Sequence, residues 1–240
     1  MALAEQLSLN LPTAEAMARD DFLPSPSNTL ALAAIEAPEG LPGGLALLCG
    51  PPGSGKTHLA RLWSARTGAR WQRVAGLASD LALLIDAPPR PLVLDDAQTL
   101  AGTPGEEALF HLLNHQRGRA PLLLTATRPA RDWRVRLPDL ASRLAAGAHL
   151  TLGPPDEALL AAVLVKLFHD RQIRVEPALI DYLTGRIERS LAAARQVVAR
   201  LDALALQRGR AITRDLAREV LADDPAPPGA MDSRGDTGAS

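Results

Sequence analysis

The residues with the clearest chemical potential lie between positions 50 and 57, where the sequence reads GPPGSGKT. This stretch fits the pattern G-x-x-x-x-G-K-[ST], in which glycines let backbone N–H groups turn towards phosphate oxygens. We expect Lys56 to reach the β- and γ-phosphates of a nucleotide and Thr57 to ligate Mg²⁺. An ordinary Gly/Pro turn is the alternative. The strand predicted before the motif and the helix predicted after it argue against that alternative.

A pair of carboxylates follows the apolar run PLVL at positions 91–94. Asp95 comes at the end of a predicted buried strand, where it can orient Mg²⁺ or its water. Asp96 can then position an attacking water. A solvated acidic pair at a strand end is common by itself. Here it ends the next strand but one after the phosphate motif, which favours a shared site.

Lysine and cysteine are scarce in this chain. Only Lys56 and Lys166 are lysines. Lysine is expected at position 56 because a compact ammonium suits a tight phosphate loop better than a planar guanidinium. Lys166 is predicted on a solvated helix face. The single cysteine, Cys49, is interpreted as a buried small apolar residue rather than a reactive thiol. His111 and His115 could ligate a metal, but no third ligand has suitable spacing, so helix-face positions are favoured.

Composition excludes several classes of protein. The 240 residues carry 26 basic and 27 acidic side chains, a net charge of -1, so no overall field would hold the protein on nucleic-acid phosphates. We expect no direct sequence-specific DNA binding. One cysteine cannot form an internal disulfide and favours a reducing, cytoplasmic location. Without a leader or an apolar run of about 18 residues, neither export nor membrane insertion is expected.

Short apolar runs alternate with segments of helical periodicity over the first two thirds of the chain. Strands are predicted at 45–49, 70–75, 91–96, 121–127 and 149–153. Helices are predicted at 29–37, 56–66, 79–86, 106–116 and 137–146. This alternation predicts an α/β fold, a five-stranded parallel sheet with helices on both faces.

The pattern changes at Pro154 and Pro155, after which only helical periodicity remains. Helices are predicted at 156–171, 177–186, 189–208 and 213–222, with Ser190 or Thr213 as capping residues. The predicted organisation is a tail, an α/β domain, a small all-α lid domain and a disordered Pro- and Gly-rich tail. These segments cover residues 1–18, 19–153, 154–222 and 223–240.

Taken together, the motifs resemble those of the AAA+ ATPases. The resemblance rests on the phosphate loop, the acidic strand end, TATR at 125–128, SRL at 142–144 and RSL at 189–191. The segments DDFLPSPSN, GPPGSGKTHL, LDDAQ, LFHLLN and ASRL are similar to successive boxes of the DnaA branch, over residues 16–222. After Asp224, the sequence does not resemble the helix-turn-helix DNA-binding domain of an initiator.

The resemblance implies roles for individual residues. Arg143 would be an arginine finger, which acts on a neighbouring ATPase; a surface salt bridge is the alternative. Sensor 1 would lie near Thr127 and Arg128, and sensor 2 at Arg189. ADP or ATP, with Mg²⁺, would be held by an adenine pocket and by the phosphate loop, through Phe22, Leu23, Gly50, Pro51, Gly53, Ser54, Gly55, Lys56, Thr57 and His58.

A DnaA-type core of this kind resembles the Hda family, the regulatory inactivators of DnaA. The family's amino-terminal motif matches QLSLNL, so Gln6, Leu7, Leu9 and Leu11 would dock on the DNA polymerase sliding clamp (beta subunit), the glutamine through hydrogen bonds and the leucines through apolar area. The implied function is stimulated hydrolysis of DnaA-bound ATP, which represses replication initiation. Three alternatives stay open: an edge strand for QLSLNL, a helicase or clamp-loader ATPase, and a nucleotide-switched scaffold. Self-association also stays open.

Overall fold

The structure is a computed structural model that describes residues 22–222. These residues divide into two compact units, with the boundary between Pro154 and Pro155. Proline lacks a backbone N–H, so two successive prolines cannot extend a helix or a sheet across this point. Each unit has its own hydrophobic core.

The first unit alternates strands and helices along the chain. Its strands are β1 (Leu45–Cys49), β2 (Arg70–Gln72), β3 (Leu92–Leu94), β4 (Leu122–Ala126) and β5 (Ala148–Thr151). Its helices are α1 (Thr29–Glu36), α2 (Lys56–Thr67), α3 (Leu77–Asp86), α4 (Gly105–Gln116) and α5 (Pro138–Ala145).

The five strands form one parallel sheet in the order β2-β3-β4-β1-β5. Successive residues of β1 enter different cores because side chains alternate between the two faces of a sheet. Leu48 belongs to a cluster with Leu59 and Trp63 of α2. Leu47 belongs to a second cluster with Leu112 of α4. The prediction of a five-stranded parallel sheet with helices on both faces is therefore confirmed.

Four of the five strands differ from their predicted bounds. The strands predicted at 91–96 and 121–127 cover Leu92–Leu94 and Leu122–Ala126. The strand predicted at 70–75 ends at Gln72, and a 3₁₀ turn follows at Val74–Gly76. Among residues 22–222, β2 is an edge strand that pairs with β3 alone, and β3 is itself three residues long. The strand predicted at 149–153 covers Ala148–Thr151 instead. The lengths of β2 and β5 are set by the strands with which they pair. The local pattern of residues does not show how long those neighbouring strands are.

The second unit is entirely helical within the described residues. Its helices are α6 (Glu157–Asp170), α7 (Pro177–Thr184), α8 (Leu191–Arg208) and α9 (Arg214–Ala222). The hydroxyl of Ser190 accepts a hydrogen bond from the Ala193 N–H at 3.0 Å and so caps α8, as predicted. α6 is capped by Asp156, which accepts from the Leu159 N–H at 2.7 Å. Between residues 22 and 222, no helix combines the length and apolarity that crossing a bilayer requires.

Candidate phosphate-binding site

The loop between β1 and α2 has a shape that only glycine permits at three positions. Gly53 and Gly55 have φ angles of +73° and +100°, in the region that residues with a Cβ avoid. A Cβ on Gly50 would lie 2.6 Å from the Leu152 carbonyl oxygen. Gly55 is also the residue before the first turn of α2, whose N–H groups lack helical partners and favour an anion. The backbone therefore forms a cradle at the positive end of a helix.

Lys56 is held inside this loop. Its Nζ donates to the carbonyl oxygens of Gly50 and Pro51 at 2.8 and 2.9 Å, and the residue is only 7% exposed. Burial lowers the pKa of Lys56, while the charges of Asp96 and Asp95 oppose that shift. Beside it, Ser54 Oγ is buried and makes no hydrogen bond with any residue in the described range. An arriving phosphate would satisfy both groups, so the loop fits a nucleotide.

The acidic strand end is organised by a threonine of the neighbouring strand. Leu94 of β3 pairs with Leu124 of β4, so the next residues along the two chains, Asp95 and Thr125, also lie side by side. The Thr125 hydroxyl donates to Asp95 Oδ1 and accepts the Asp96 N–H, the latter at 3.1 Å. Asp96 adopts the left-handed backbone conformation, with φ +57°, which aspartate tolerates better than most residues. One buried hydroxyl therefore fixes both carboxylate-bearing residues.

Gln98 makes a second link between the same two strand ends. Its Nε2 donates to Asp96 Oδ1 at 3.2 Å, and its Oε1 accepts the Thr127 N–H at 3.3 Å. The sequence alone indicated no individual role for Gln98 or Thr125. A threonine inside the fully buried strand LLLTA is the signal that could have found Thr125, because a buried hydroxyl must have a partner.

We expect Thr125→Val to lower the free energy of unfolding by about 1–3 kcal/mol, because the shape is kept while the half-buried Asp95 carboxylate and the Asp96 N–H lose their hydrogen-bond partner. Urea denaturation followed by circular dichroism measures this change. Thr127→Val is the matched control, since Thr127 is exposed two residues further along the chain. Equal stability of the two variants would show that the Thr125 hydroxyl does not organise this strand end.

The predicted adenine-pocket residues lie beside α2. Phe22 is buried, and its ring meets that of His58 edge to face, with centroids 5.5 Å apart. Leu23 is half-buried, and its carbonyl accepts the Asn28 side-chain N–H at 3.0 Å. Asn28 Oδ1 in turn accepts the Ser25 N–H at 2.9 Å. This turn fixes the chain that enters the unit against the start of α2.

The predicted sensor-1 residues follow β4. Thr127 and Arg128 are both exposed. The Trp133 indole N–H donates to the Arg128 carbonyl at 2.8 Å and anchors the loop. Thr57, the predicted Mg²⁺ ligand, is exposed in the first turn of α2. Among the described residues, no group of three His, Cys, Asp or Glu side chains could hold a metal ion alone, so Mg²⁺ here would need phosphate oxygens as further ligands.

Arg143 lies at the opposite end of the sheet from the phosphate loop. It lines a cavity of about 540 Å³ together with Leu45 and Gly147, which stand where β1 and β5 begin. The phosphate loop follows the other end of β1. The Arg143 guanidinium carbon lies 5.7 Å from the centroid of the Phe110 ring, and it forms no ion pair with any residue between 22 and 222. The salt-bridge alternative is thus not supported.

Several further residues were singled out from the sequence. Arg189 is exposed in the second unit, just before the α8 cap. Lys166 is paired with Asp170 at 2.7 Å, one helical turn away. Cys49, interpreted as buried, is half-buried because it ends β1 beside the loop, and burial raises the pKa of its thiol. His111 and His115 lie on α4. Gln6, Leu7, Leu9 and Leu11 lie outside the described residues.

Comparison with known proteins supports this fold. No protein-family model matches the chain. An uncharacterized protein of Haemophilus influenzae is 29% identical over 182 residues, or 72% of this chain and 79% of that protein. Domain III of the Thermotoga maritima replication initiation protein DnaA superposes with a TM-score of 0.74 at 21% identity, covering 87% of this chain and 96% of the domain.

Two further solved structures have the same architecture. The Holliday junction branch migration motor RuvB of Thermotoga maritima gives a TM-score of 0.70 at 21% identity, over 86% of this chain and 71% of RuvB. AMPPCP-bound DnaA of Aquifex aeolicus gives 0.67 at 19% identity, over 83% of this chain and 68% of DnaA. These likenesses show the fold, a five-stranded parallel α/β sheet followed by a small all-α unit.

Proposed function

We propose that this protein is a DnaA-related AAA+ regulator that binds ADP or ATP, docks on the DNA-loaded sliding clamp, and stimulates hydrolysis of DnaA-bound ATP. It would thereby repress replication initiation in the manner of the Hda family. The observation that carries the proposal is that the phosphate loop and Arg143 lie at opposite ends of the sheet. The phosphate loop stands at one end, and Arg143, which has no ion pair within the described part of the chain, stands at the other.

Nucleotide binding is supported by the shape and chemistry of the loop. The Gly50, Gly53 and Gly55 cradle and the buried Lys56 suit phosphate oxygens, and a structurally similar DnaA holds AMPPCP. Thr57 and Asp95 would hold Mg²⁺, which neutralises phosphate charge when bound.

Further residues would take part in nucleotide binding and hydrolysis. Phe22, Leu23 and His58 would contact adenine, and Arg189 would act as sensor 2. Asp96, oriented through its N–H and through Gln98, would position an attacking water.

Action on a neighbouring protein is supported by the position of Arg143. An arginine at the far end of β1 is about 13–17 Å from its own phosphate loop, given 3.3 Å per strand residue. It cannot stabilise charge on a nucleotide bound there, but it can reach one held by an adjacent subunit. DnaA, whose domain III has the same fold, is the proposed partner.

Deleting residues 1–11 should abolish binding to the clamp and leave nucleotide affinity unchanged, because the alternating leucines of QLSLNL are proposed to fill a pocket in another protein. Surface plasmon resonance against immobilised clamp measures the first quantity, and titration with a fluorescent nucleotide measures the second. Replacing Ser8 and Asn10 with alanine is the matched control, since it keeps Gln6 and the leucines. Loss of folding on deletion would favour the edge-strand interpretation instead.

A self-sufficient motor ATPase is the second candidate, favoured by the likeness to RuvB. The two candidates differ in turnover. A motor releases its nucleotide and hydrolyses ATP rapidly without DnaA, whereas an inactivator retains ADP and turns over slowly. Chromatography of the nucleotide released from the purified protein, together with its ATPase rate with and without DnaA, clamp and DNA, separates them. Fast hydrolysis that DnaA does not change would contradict the proposed function.

A further inference from the structure

Glu106 is a buried carboxylate to which sequence analysis assigned no role. It stands in the first turn of α4, is 3% exposed, and accepts hydrogen bonds from three backbone N–H groups. The Gly102 N–H donates at 2.5 Å, the Arg136 N–H at 2.9 Å and the Leu137 N–H at 3.2 Å. Burial alone would raise the pKa of Glu106, but these bonds and the Arg136 charge outweigh it and lower the pKa. The side chain is therefore ionised at neutral pH.

Two of these N–H groups belong to the residues that lead into α5. Leu137 is the residue before the first turn of α5, and its own side chain cannot cap the helix. Pro138, the first helical residue, has no N–H to donate. The Glu106 carboxylate thus supplies the negative charge that a helix N-terminus favours, from a different helix.

α5 depends on such contacts for its orientation. It is only eight residues long, and a helix of this length is marginal in isolation. Leu140 and Leu144 are buried in the first unit's core and hold one face of α5. These apolar contacts keep α5 on the core but oppose its rotation only weakly, because the hydrophobic effect is not directional. Hydrogen bonds are directional and therefore oppose rotation. The Glu106 bonds therefore set the direction in which the start of α5 points.

α4 contacts α5 in two places along one face. Glu106 bonds the residues that begin α5, and Phe110, one helical turn further along α4, lies under the Arg143 guanidinium. Residues four apart on a helix share a face. One face of α4 therefore contacts both the start of α5 and the Arg143 side chain.

We propose that Glu106 is a positioning residue for Arg143: its carboxylate fixes the start of α5 and so aims the guanidinium at the ATP of the neighbouring protein. This inference rests on the proposed function. It adds that the arginine must be pre-aligned, since a misplacement of about 1 Å can cost on the order of 100-fold in rate.

The test compares full-length Glu106→Gln with Glu107→Gln, the matched control one residue away on the exposed side of the same helical turn. Hydrogen–deuterium exchange should be about tenfold faster at residues 136–141 of Glu106→Gln, because a neutral amide is a weaker acceptor and turns an N–H towards its former donors. Exchange at residues 50–57 should be unchanged. Glu107→Gln should match the wild type throughout.

In the DnaA-ATP hydrolysis assay with clamp and DNA, Glu106→Gln should lower the maximal stimulation about tenfold. The nucleotide affinity and the concentration giving half-maximal stimulation should stay within about twofold of wild type. Faster exchange throughout residues 22–154 with weaker nucleotide binding would reveal a general structural role and overturn the proposal. Full stimulation by Glu106→Gln would overturn it too.

Arg143→Ala in the same assay distinguishes the two levels of inference. If Arg143→Ala is inactive while Glu106→Gln stimulates fully, only the positioning role fails. If Arg143→Ala stimulates as well as wild type, the proposed function fails and the positioning role fails with it. Exchange at residues 136–141 does not require DnaA, so it reports on the Glu106 contact in either case.

Discussion

Lys56→Ala lowers the affinity for ATP by about 100-fold or more and that for ADP by about tenfold or more, as the expected result of removing the ammonium from the phosphate loop. The ammonium is already buried against the loop carbonyls of Gly50 and Pro51, so a nucleotide meets a charge that needs little reordering. Charge-assisted hydrogen bonds to phosphate are worth about 1.5–3 kcal/mol each. Loss of contacts to the β- and γ-phosphates accounts for the effect on ATP, and loss of the β-phosphate contact alone accounts for the smaller effect on ADP.

Isothermal titration calorimetry with ATP and ADP measures this change. Lys166→Ala is the matched control because Lys166 is the chain's other lysine and lies in the second unit, paired with Asp170. Lys56→Arg should also bind poorly, since a planar guanidinium does not fit where a compact ammonium does. Circular dichroism establishes that each variant is folded. Unaltered affinity in a folded Lys56→Ala protein would rule out this loop as the nucleotide site.

Arg143→Ala should remove most of the stimulation of DnaA-bound ATP hydrolysis, a loss on the order of 1,000-fold, because an arginine finger stabilises charge that develops in the transition state. The protein's own nucleotide affinity should not change, since Arg143 stands at the opposite end of β1 from the phosphate loop. Single-turnover hydrolysis of labelled ATP on DnaA, with clamp and DNA present, measures the rate.

Arg119→Ala controls for loss of a positive charge at the same end of the sheet. Arg119 is exposed and lines a different cavity, beside Pro91 and Pro121. Arg143→Lys should fail nearly as completely as Arg143→Ala, because lysine keeps the charge and loses the planar fork of donors. If Arg143→Ala stimulates as strongly as Arg119→Ala, the finger assignment is wrong.

The sequence was informative wherever structure depends on neighbouring residues in the chain. The apolar run LALLC predicted β1 to the residue, and GPPGSGKT predicted a loop that the φ angles of Gly53 and Gly55 bear out. The Ser190 cap was predicted for the same reason, since a cap acts within its own helical turn. Such features depend on backbone sterics and on hydrogen bonds between residues a few positions apart.

Contacts between distant segments were not predicted. Thr125 meets Asp95 across 30 residues of chain, and Glu106 meets Leu137 across 31. The residues around Thr125 and Glu106 do not indicate the partner of either side chain. A buried polar side chain needs a hydrogen-bond partner, but its type does not show which residue supplies it. The short β2 has the same explanation, since its length depends on β3.

By itself, then, the sequence determined the class of fold and the chemistry of the phosphate loop, because apolar periodicity and glycine conformational freedom act locally. The tertiary structure alone decided how the carboxylates at the end of β3 are held and where Arg143 stands relative to the loop. It also decided which side chain fixes the start of α5. Those outcomes require strands and helices to pack, since directional hydrogen bonds between distant residues form only when the core brings their elements together.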